Sequence, residues 1–175
     1  YKIRKYGAHG TSHKYVSQRM NEILGRTDTK LITCHIGNGA SISAVKDGKC
    51  VDTSMGLTPN AGLIMGSRCG DMDATVVTYA MEKTGMTSRE MDTVLNKQSG
   101  LLGISGVSSD SRDIEEGIKA GNERCILAQD MYVKRIVEYI AKYYVLLEGC
   151  DAIIFTAGVG ENSIATRKAV LEKLS

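Results

Sequence analysis

The stretch Leu31-Ile-Thr-Cys-His-Ile-Gly-Asn-Gly-Ala-Ser41 leads an apolar strand directly into two glycines that are two positions apart. A second stretch, Ile153-Ile-Phe-Thr-Ala-Gly-Val-Gly-Glu-Asn-Ser163, repeats this design. Because glycine has no Cβ atom, a Gly-x-Gly turn lets a ligand approach the backbone, where successive N–H groups can converge on an anion. A single turn of this kind more often only closes a loop. Two such turns in matching strand contexts predict a nucleotide site.

The rest of the chain alternates between strand and helix signals. Asp47-Gly48 predicts a hairpin between Ala40–Val45 and Cys50–Ser54, and Ala152–Thr156 has the composition of a second buried strand. Glycine stops and a 3.6-residue period predict helices, and so do capping residues such as Asp73 and the capping box Thr87-Ser-Arg-Glu90. These run from Thr11 or Ser12 to Leu24, over Ala74–Thr84, from Thr87 towards Asn96, from Ser109 or Asp110 through Lys119, from about Glu123 to Glu148, and from about Ser163 onward. This order predicts an α/β layer fold with ligands at the carboxyl ends of the strands.

Three of the predicted helices carry apolar positions that share one face, and we expect those faces to point inward. They are Tyr15, Val16, Met20, Ile23 and Leu24 in the first helix, Val133, Val137, Ile140, Tyr144 and Leu147 in the long helix, and Val170, Leu171 and Leu174 in the last helix.

Composition and charge argue against several classes of protein. The 175 residues, 42% hydrophobic and 24% charged, are typical of a single globular domain over residues 1–175. A net charge of +2 with scattered basic residues argues against nucleic acid or a membrane surface as a partner. No apolar run is long enough to span a membrane and the start lacks a signal peptide, so we expect a cytoplasmic location. Five widely spaced cysteines without a Cys-x-x-Cys pair argue against a zinc or redox site.

Two loops carry residues suited to stabilising negative charge. His9 lies between glycines in Gly7-Ala-His-Gly10, where an imidazole could donate a hydrogen bond to a developing anion. A cap on a local backbone group is the alternative for His9 and the favoured interpretation for His13. Arg68 lies in the long glycine-rich segment Thr58–Asp73, where a guanidinium could hold a carboxylate or a phosphoryl group in bidentate fashion. A solvated surface arginine is the alternative.

Three further segments could contact a nucleotide. His35 and Asn38 flank the first glycine turn and could donate to phosphate oxygens, although an asparagine in a tight turn can be purely structural. The run Ser108-Ser-Asp-Ser-Arg-Asp113 is the second segment, but Asp110 is also a sound helix cap. The third is Gly158-Val-Gly-Glu-Asn162, where backbone and polar groups meet at the start of a helix.

In this order along the chain, these motifs resemble the acetate kinase family, a branch of the acetate and sugar kinase, Hsp70 and actin superfamily. The most specific pieces are Tyr6-Gly-Ala-His-Gly-Thr-Ser-His13, Cys34-His-Ile-Gly-Asn-Gly39, Thr53-Ser-Met-Gly-Leu-Thr-Pro59, Met65-Gly-Ser-Arg-Cys-Gly-Asp71 and Phe155-Thr-Ala-Gly-Val-Gly-Glu-Asn-Ser163. The resemblance implies an RNase H-like α/β domain that is the nucleotide-binding, carboxyl-terminal half of a two-domain kinase. It also implies that the amino-terminal domain and the last part of the carboxyl-terminal domain are absent.

The family transfers the γ-phosphoryl group of ATP, with Mg²⁺, to acetate in a reversible reaction that gives acetyl phosphate and ADP. His9 resembles the histidine that stabilises the transition state, and Arg68 resembles the arginine that holds the carboxylate and the equatorial oxygens. Both roles suit a loose phosphoryl-transfer transition state. The nucleotide contacts that the resemblance implies are His35, Ile36, Gly37, Asn38, Gly39, Asp110, Ser111, Arg112, Gly158, Val159, Gly160, Glu161 and Asn162. No metal ligand is assigned.

Two alternatives stay open. Propionate kinase or another short-chain acyl kinase differs by one or two methylenes in the acyl pocket, which is worth about 1–3 kcal/mol. A non-catalytic nucleotide-binding domain of the superfamily is the other alternative, and it has no use for a phosphoryl clamp. For the full protein we expect a homodimer that acts on small molecules. The 175 residues alone are expected to have little or no kinase activity because the cleft needs both domains.

Overall fold

A four-stranded sheet organises the chain in the computed structural model, which describes residues 1–175. The strands are β1 (Lys30–Ile36), β2 (Ala40–Lys46), β3 (Lys49–Thr53) and β4 (Ala152–Thr156), in the spatial order β3-β2-β1-β4. The helices are α1 (Gly10–Leu24), α2 (Ala74–Thr84), α3 (Ser88–Lys97), α4 (Gly100–Ser105), α5 (Ser111–Lys119), α6 (Glu123–Leu146), α7 (Ala157–Asn162) and α8 (Ile164–Glu172). The predicted α/β fold is confirmed, and no helix is long and apolar enough to cross a membrane.

The two glycine segments end side by side. Strand β1 pairs with β4 in parallel, with Leu31 opposite Ala152 and His35 opposite Thr156. Parallel strands present their carboxyl ends at the same edge of the sheet, so the turn after β1 and the segment after β4 are neighbours. The hairpin prediction is also confirmed, because β2 and β3 pair antiparallel across Asp47 and Gly48. Both turn residues have positive φ, as a two-residue hairpin of this type requires.

The core lies between the sheet and the long helix α6, whose buried face differs in part from the predicted one. Val133 and Ile140 are buried as expected, but Tyr144 is 52% exposed and Tyr143 points inward in its place. In α8, Val170 is fully buried whereas Leu171 is exposed. The buried face of α6 is Cys125, Ala128, Tyr132, Val133, Ile136, Ile140 and Tyr143. This face contacts α4, α5 and α8 as well as the sheet, so it includes positions outside the apolar spacing chosen from the sequence.

Helix α1 departs most from the prediction. It begins at Gly10 and not after a Thr11 or Ser12 cap, and the residue before it, His9, has a left-handed backbone with φ 63° and no side-chain cap. The buried residues of α1 are His13 and Ser17, while the apolar face that includes Tyr15 is largely exposed. The part of the sheet that α1 faces carries hydroxyl side chains, so the helix buries its polar side against it.

Caps define most other helix starts as predicted. Asp73 caps α2, Thr87 and Glu90 form the expected capping box of α3, Asp110 caps α5, and Ser163 caps α8. Two short helices were not predicted. One is α4, and the other is α7, which begins directly after β4 where a glycine loop was expected.

Candidate functional site

A cavity of about 760 Å³ opens at the carboxyl ends of β1 and β4. Eight of the thirteen residues predicted to bind nucleotide line it: Gly37, Asn38, Asp110, Ser111, Arg112, Gly158, Val159 and Asn162. The remaining lining residues are Gly66, Leu101, Ser109, Glu115, Tyr132 and Ser163. Three segments that are far apart in the sequence therefore share one cavity, whose size suits a small organic ligand.

One wall of the cavity lies where the first glycine turn meets the Thr58–Asp73 segment, and this wall depends on Gly66. Its N–H donates to the carbonyl of Asn38 at 2.9 Å. A Cβ atom on Gly66 would overlap the Oδ1 of Asn38 and would lie 2.7 Å from the carbonyl oxygen of Ser109. Only glycine fits here, so Gly66 allows the turn that contains Asn38 and the segment that contains Ser109 to approach each other. No local pattern distinguishes Gly66 from the other glycines of its segment.

A second wall is the start of α5. The Asp110 carboxylate accepts a hydrogen bond from the Arg112 backbone N–H at 2.9 Å, and its other oxygen pairs with Arg112 Nη2 at 2.6 Å. These contacts with Arg112 hold the pKa of Asp110 at about 2, below its usual range. The structural interpretation of Asp110 as a helix cap is confirmed. Its position at the rim of the cavity leaves a nucleotide contact as a prediction.

The third wall, α7, contains a strained residue. Ala157 follows β4 with φ 68°, a left-handed conformation that is unfavourable for a residue with a Cβ atom. Glu161 supports it, because its Oε1 accepts from the Ala157 N–H at 3.1 Å and from the Thr156 hydroxyl at 3.0 Å. Neither Glu161 nor the buried Gly160 lines the cavity. Their nucleotide contacts stay predictions.

Beyond the first glycine turn, the two predicted catalytic residues converge. A Cβ atom on Gly39 would lie 3.1 Å from Arg68 Nη1 and 3.7 Å from His9 Nε2. Arg68 Nη1 donates to the carbonyl of Pro59 at 3.2 Å, which helps to orient the guanidinium. The turn Gly37-Asn38-Gly39 thus lines the cavity with its first two residues and contacts the pair His9 and Arg68 with its third.

All three histidines of the chain form one cluster beside this turn. The rings of His9 and His35 stack at 4.0 Å with an interplanar angle of 16°. Burial, together with the nearby His35 and Arg68, lowers the pKa of His9 to about 4. At neutral pH the imidazole is uncharged, so one of its nitrogens carries a hydrogen that can be donated.

The position of the cavity does not account for the predicted contacts of His35 and Ile36 with phosphate. His35 Nδ1 hydrogen-bonds to the Ser12 hydroxyl at 2.9 Å, and Ile36 is 1% exposed within the core. Neither residue lines the cavity. Their backbone lies in the strand that leads into the turn, and their roles in binding stay predictions.

The buried hydroxyls under α1 were not predicted. His13 Nδ1 is 2.7 Å from Thr33 Oγ1, and His13 Nε2 is 2.7 Å from Ser41 Oγ. Ser41 Oγ in turn is 2.8 Å from His9 Nδ1. The interpretation of His13 as a cap on a backbone group was wrong, since both its ring nitrogens contact side chains. Hydroxyl residues two apart on β2, Ser41 and Ser43, were the available signal.

No group of three or more His, Cys, Asp or Glu side chains is arranged to hold a metal ion. No side chain of this chain is therefore assigned to Mg²⁺.

Comparisons with known proteins give consistent matches. A sequence profile of the acetokinase family matches residues 1–175. An acetate kinase from Macrococcus caseolyticus is 59% identical over 99% of this chain and 44% of its own length. The crystal structure of Porphyromonas gingivalis acetate kinase superimposes with a TM-score of 0.94 at 53% identity, covering 96% of this chain and 43% of that one.

A propionate kinase structure from Francisella tularensis gives a TM-score of 0.95 at 45% identity, covering 98% of this chain and 44% of that one. The chain thus spans less than half the length of the relatives it matches. These matches do not bear out the expectation that it corresponds to the carboxyl-terminal portion of such proteins. The fold is that of the acetate and propionate kinases in their superfamily. The chain belongs to the acetokinase family.

Proposed function

We propose that this chain forms the nucleotide-binding part of an acetate kinase, which transfers the γ-phosphoryl group of ATP to acetate. One observation carries the proposal: His9 Nε2 and Arg68 Nη1 converge on Gly39, and the two residues before this glycine, Gly37 and Asn38, line a cavity of about 760 Å³. A nucleotide held in the cavity by the glycine turn would direct its terminal phosphate towards this pair. Family membership supports the same assignment.

The two residues then act on the group in transfer. A carboxylate oxygen of acetate forms a bond to the γ-phosphorus while the bond from that phosphorus to the bridging oxygen breaks, and ADP leaves with the electron pair. Arg68 donates to the equatorial oxygens, where negative charge spreads in a loose transition state. Neutral His9 adds one hydrogen bond at a fixed position, so no reorganisation is needed during the reaction.

Glycines and polar side chains in the cavity fit a nucleotide. Gly37 and Gly66 allow close approach to the backbone, and Asn38 and Ser111 offer hydrogen-bonding groups at the lining. Mg²⁺ belongs to the proposed reaction as the ion that accompanies ATP, with no ligand assigned from this chain. The homodimer and the cytoplasmic location stay predictions.

A second candidate is a propionate kinase, because the chain is closely similar in structure to one. The two reactions share every step at phosphorus and differ only in the acyl pocket. A third, a nucleotide-binding domain without catalysis, predicts nucleotide binding but no acyl phosphate.

The test is acyl phosphate formation by the full-length protein with ATP and acetate, propionate or butyrate, trapped with hydroxylamine. We expect acetate to give the highest kcat/KM. Arg68→Ala and His9→Ala should each lower kcat about 10²-fold or more while the Kd for ATP changes little. The matched control is Arg89→Ala, since Arg89 is an exposed arginine of α3 without an ion pair. Normal turnover in both variants would contradict the proposal, and a preference for propionate would favour the second candidate.

A further inference from the structure

A continuous chain of short hydrogen bonds leads from the sheet to His9. It runs from Thr33 Oγ1 to His13 Nδ1 at 2.7 Å, from His13 Nε2 to Ser41 Oγ at 2.7 Å, and from Ser41 Oγ to His9 Nδ1 at 2.8 Å. Thr33 and Ser41 are fully buried and His13 is 5% exposed, so bulk water does not compete for these bonds. We call these three residues, Thr33, His13 and Ser41, the relay.

The distances assign a direction to the relay. Each hydroxyl has one hydrogen to donate. For Thr33 the possible acceptors are His13 Nδ1 at 2.7 Å and the Ser43 carbonyl at 3.4 Å, so the shorter and stronger hydrogen bond is the one to the ring. Donation by Thr33 leaves the hydrogen of His13 on Nε2, which then donates to Ser41 Oγ at 2.7 Å. The acceptors left for Ser41 are His9 Nδ1 at 2.8 Å and the Ala8 carbonyl at 3.3 Å, and the ring nitrogen is again the closer one.

Donation by both hydroxyls determines where the ring protons are. His13 accepts at Nδ1 and therefore carries its hydrogen on Nε2, from which it donates to Ser41. His9 likewise accepts at Nδ1 and carries its hydrogen on Nε2, the nitrogen that faces Gly39 and Arg68. The reverse direction would put the hydrogen of His9 on Nδ1 and leave only a lone pair facing the site.

We propose that Thr33, His13 and Ser41 are positioning residues that fix the tautomer of His9, with its hydrogen on Nε2 and directed at the transferring phosphoryl group. The catalytic consequence rests on the proposed function, but the tautomer itself does not. The left-handed backbone of His9 supports the proposal, because a φ of 63° is unfavourable for histidine and the hydrogen bond to Ser41 helps to hold the ring there.

A double-mutant cycle in the full-length protein tests the catalytic consequence. Ser41→Ala should lower kcat about 10-fold, by analogy with the hydrogen-bond partners of metal-bound histidines, whose loss costs about 10–100-fold, with the KM for ATP little changed. In a His9→Ala background the same substitution should cause no further loss. An additional 10-fold loss in that background, or no loss in the wild-type background, would overturn the proposal.

A second pair of variants covers the case in which Ser41→Ala does not fold. His13→Gln places an amide N–H near the position of Nε2 and should keep most of the activity, whereas His13→Asn is too short to reach Ser41 and should lose about as much kcat as Ser41→Ala. Equal activity of the two His13 variants would contradict the direction assigned to the relay. Thermal melting confirms that both are folded.

The tautomer has a readout that does not depend on activity. In full-length protein labelled with ¹⁵N-histidine, a long-range ¹H–¹⁵N spectrum distinguishes Nε2–H from Nδ1–H rings, and the His9 signals are those lost in His9→Ala. We expect the Nε2–H pattern in the wild type and a mixture in Ser41→Ala. An Nδ1–H pattern in the wild type would overturn the proposal. If the wild type makes no acyl phosphate, the proposed function fails and this spectrum still decides the tautomer.

Discussion

Arg68 lies directly against Gly39, so that a Cβ atom on this glycine would be only 3.1 Å from Arg68 Nη1. The contact joins the loop that carries Arg68 to the turn that follows β1. It also means that the position of the guanidinium depends on the absence of a side chain at residue 39.

Gly39→Ala should therefore displace Arg68 and lower kcat. We expect a loss of about 10-fold, because small displacements of a catalytic group cost rate more than binding, with a smaller change in the Kd for ATP. Gly37→Ala is the matched comparison: it makes the same change in the same turn, but its Cβ would meet the Gly39 carbonyl and Ala157 and not Arg68. That variant should weaken ATP binding more than it lowers kcat. If the two variants change kcat and the Kd for ATP in the same proportion, the result would argue against a specific contact with Arg68.

Gly66→Ala should lower stability more than Gly39→Ala or Gly37→Ala does. Its Cβ would overlap the Asn38 side chain and approach the Ser109 backbone, so two walls of the cavity must separate. We expect a stability loss of about 1–3 kcal/mol, typical of overpacking, and a weaker Kd for ATP, measured by urea denaturation and calorimetry.

The double variant Gly66→Ala with Asn38→Ala removes the overlap with the asparagine side chain while the approach to Ser109 remains. It should recover part of the stability that Gly66→Ala loses. No recovery would assign the whole cost to the Ser109 backbone.

Asp110 offers a way to separate a helix cap from a nucleotide contact. Asp110→Ala removes the bond to the Arg112 N–H and should cost about 1 kcal/mol of stability. Asp110→Asn keeps a capping oxygen and should restore most of that stability. If Asp110 also contacts the nucleotide through its charge, the asparagine variant will still bind ATP differently from the wild type. Equal ATP affinity of Asp110→Asn and the wild type would leave the cap as its only role.

Stability should fall as the pH drops from about 6.5 towards 4 because of His13. Burial, together with His35 and His9, lowers its pKa to about 4 in the folded state, against 6.5 for the free side chain. Between these values the unfolded chain binds more protons, so the free energy of unfolding decreases as the pH falls, by at most about 3 kcal/mol for His13. The neighbouring His9 and His35 also have lowered pKa values and contribute with the same sign.

The measurement compares urea denaturation of the wild type and His13→Gln from pH 7.5 to 4. Glutamine does not titrate, so the wild type should lose more stability than the variant across this range. Parallel pH profiles would contradict the lowered pKa.

Ala157 is expected to tolerate glycine unusually well. Its φ of 68° costs a residue with a Cβ atom about 1–2 kcal/mol, which offsets the entropy that glycine adds to the unfolded chain. Ala157→Gly should therefore leave stability unchanged or raise it. Ala165→Gly, at an exposed position within α8, is the control and should lower stability by about 1 kcal/mol. Equal losses in the two variants would mean that Ala157 is not strained.

Local patterns predicted those features that depend on neighbouring residues. Asp47-Gly48 defines the hairpin because its two residues accept positive φ, and Thr87 with Glu90 defines the start of α3 through reciprocal capping bonds. Periodicity was less successful for α1 and α6. It finds an apolar stripe but does not say which partner the helix meets, and the hydroxyl-lined sheet under α1 reverses the expected orientation.

Contiguous motifs are enough to identify the acetokinase family, the order of the strands along the chain and the two glycine segments, because each of these features depends on neighbouring residues. Tertiary packing, in contrast, brings Arg68 and His9 to Gly39, closes the cavity at Gly66 against Asn38, and places Ser41 between His9 and His13. These relationships join residues between 28 and 59 positions apart, through the register of β1 with β2, the packing of α1 and the position of the Thr58–Asp73 segment. The chemistry of a side chain follows from its residue type, but the residue that it contacts depends on how distant segments of the chain pack.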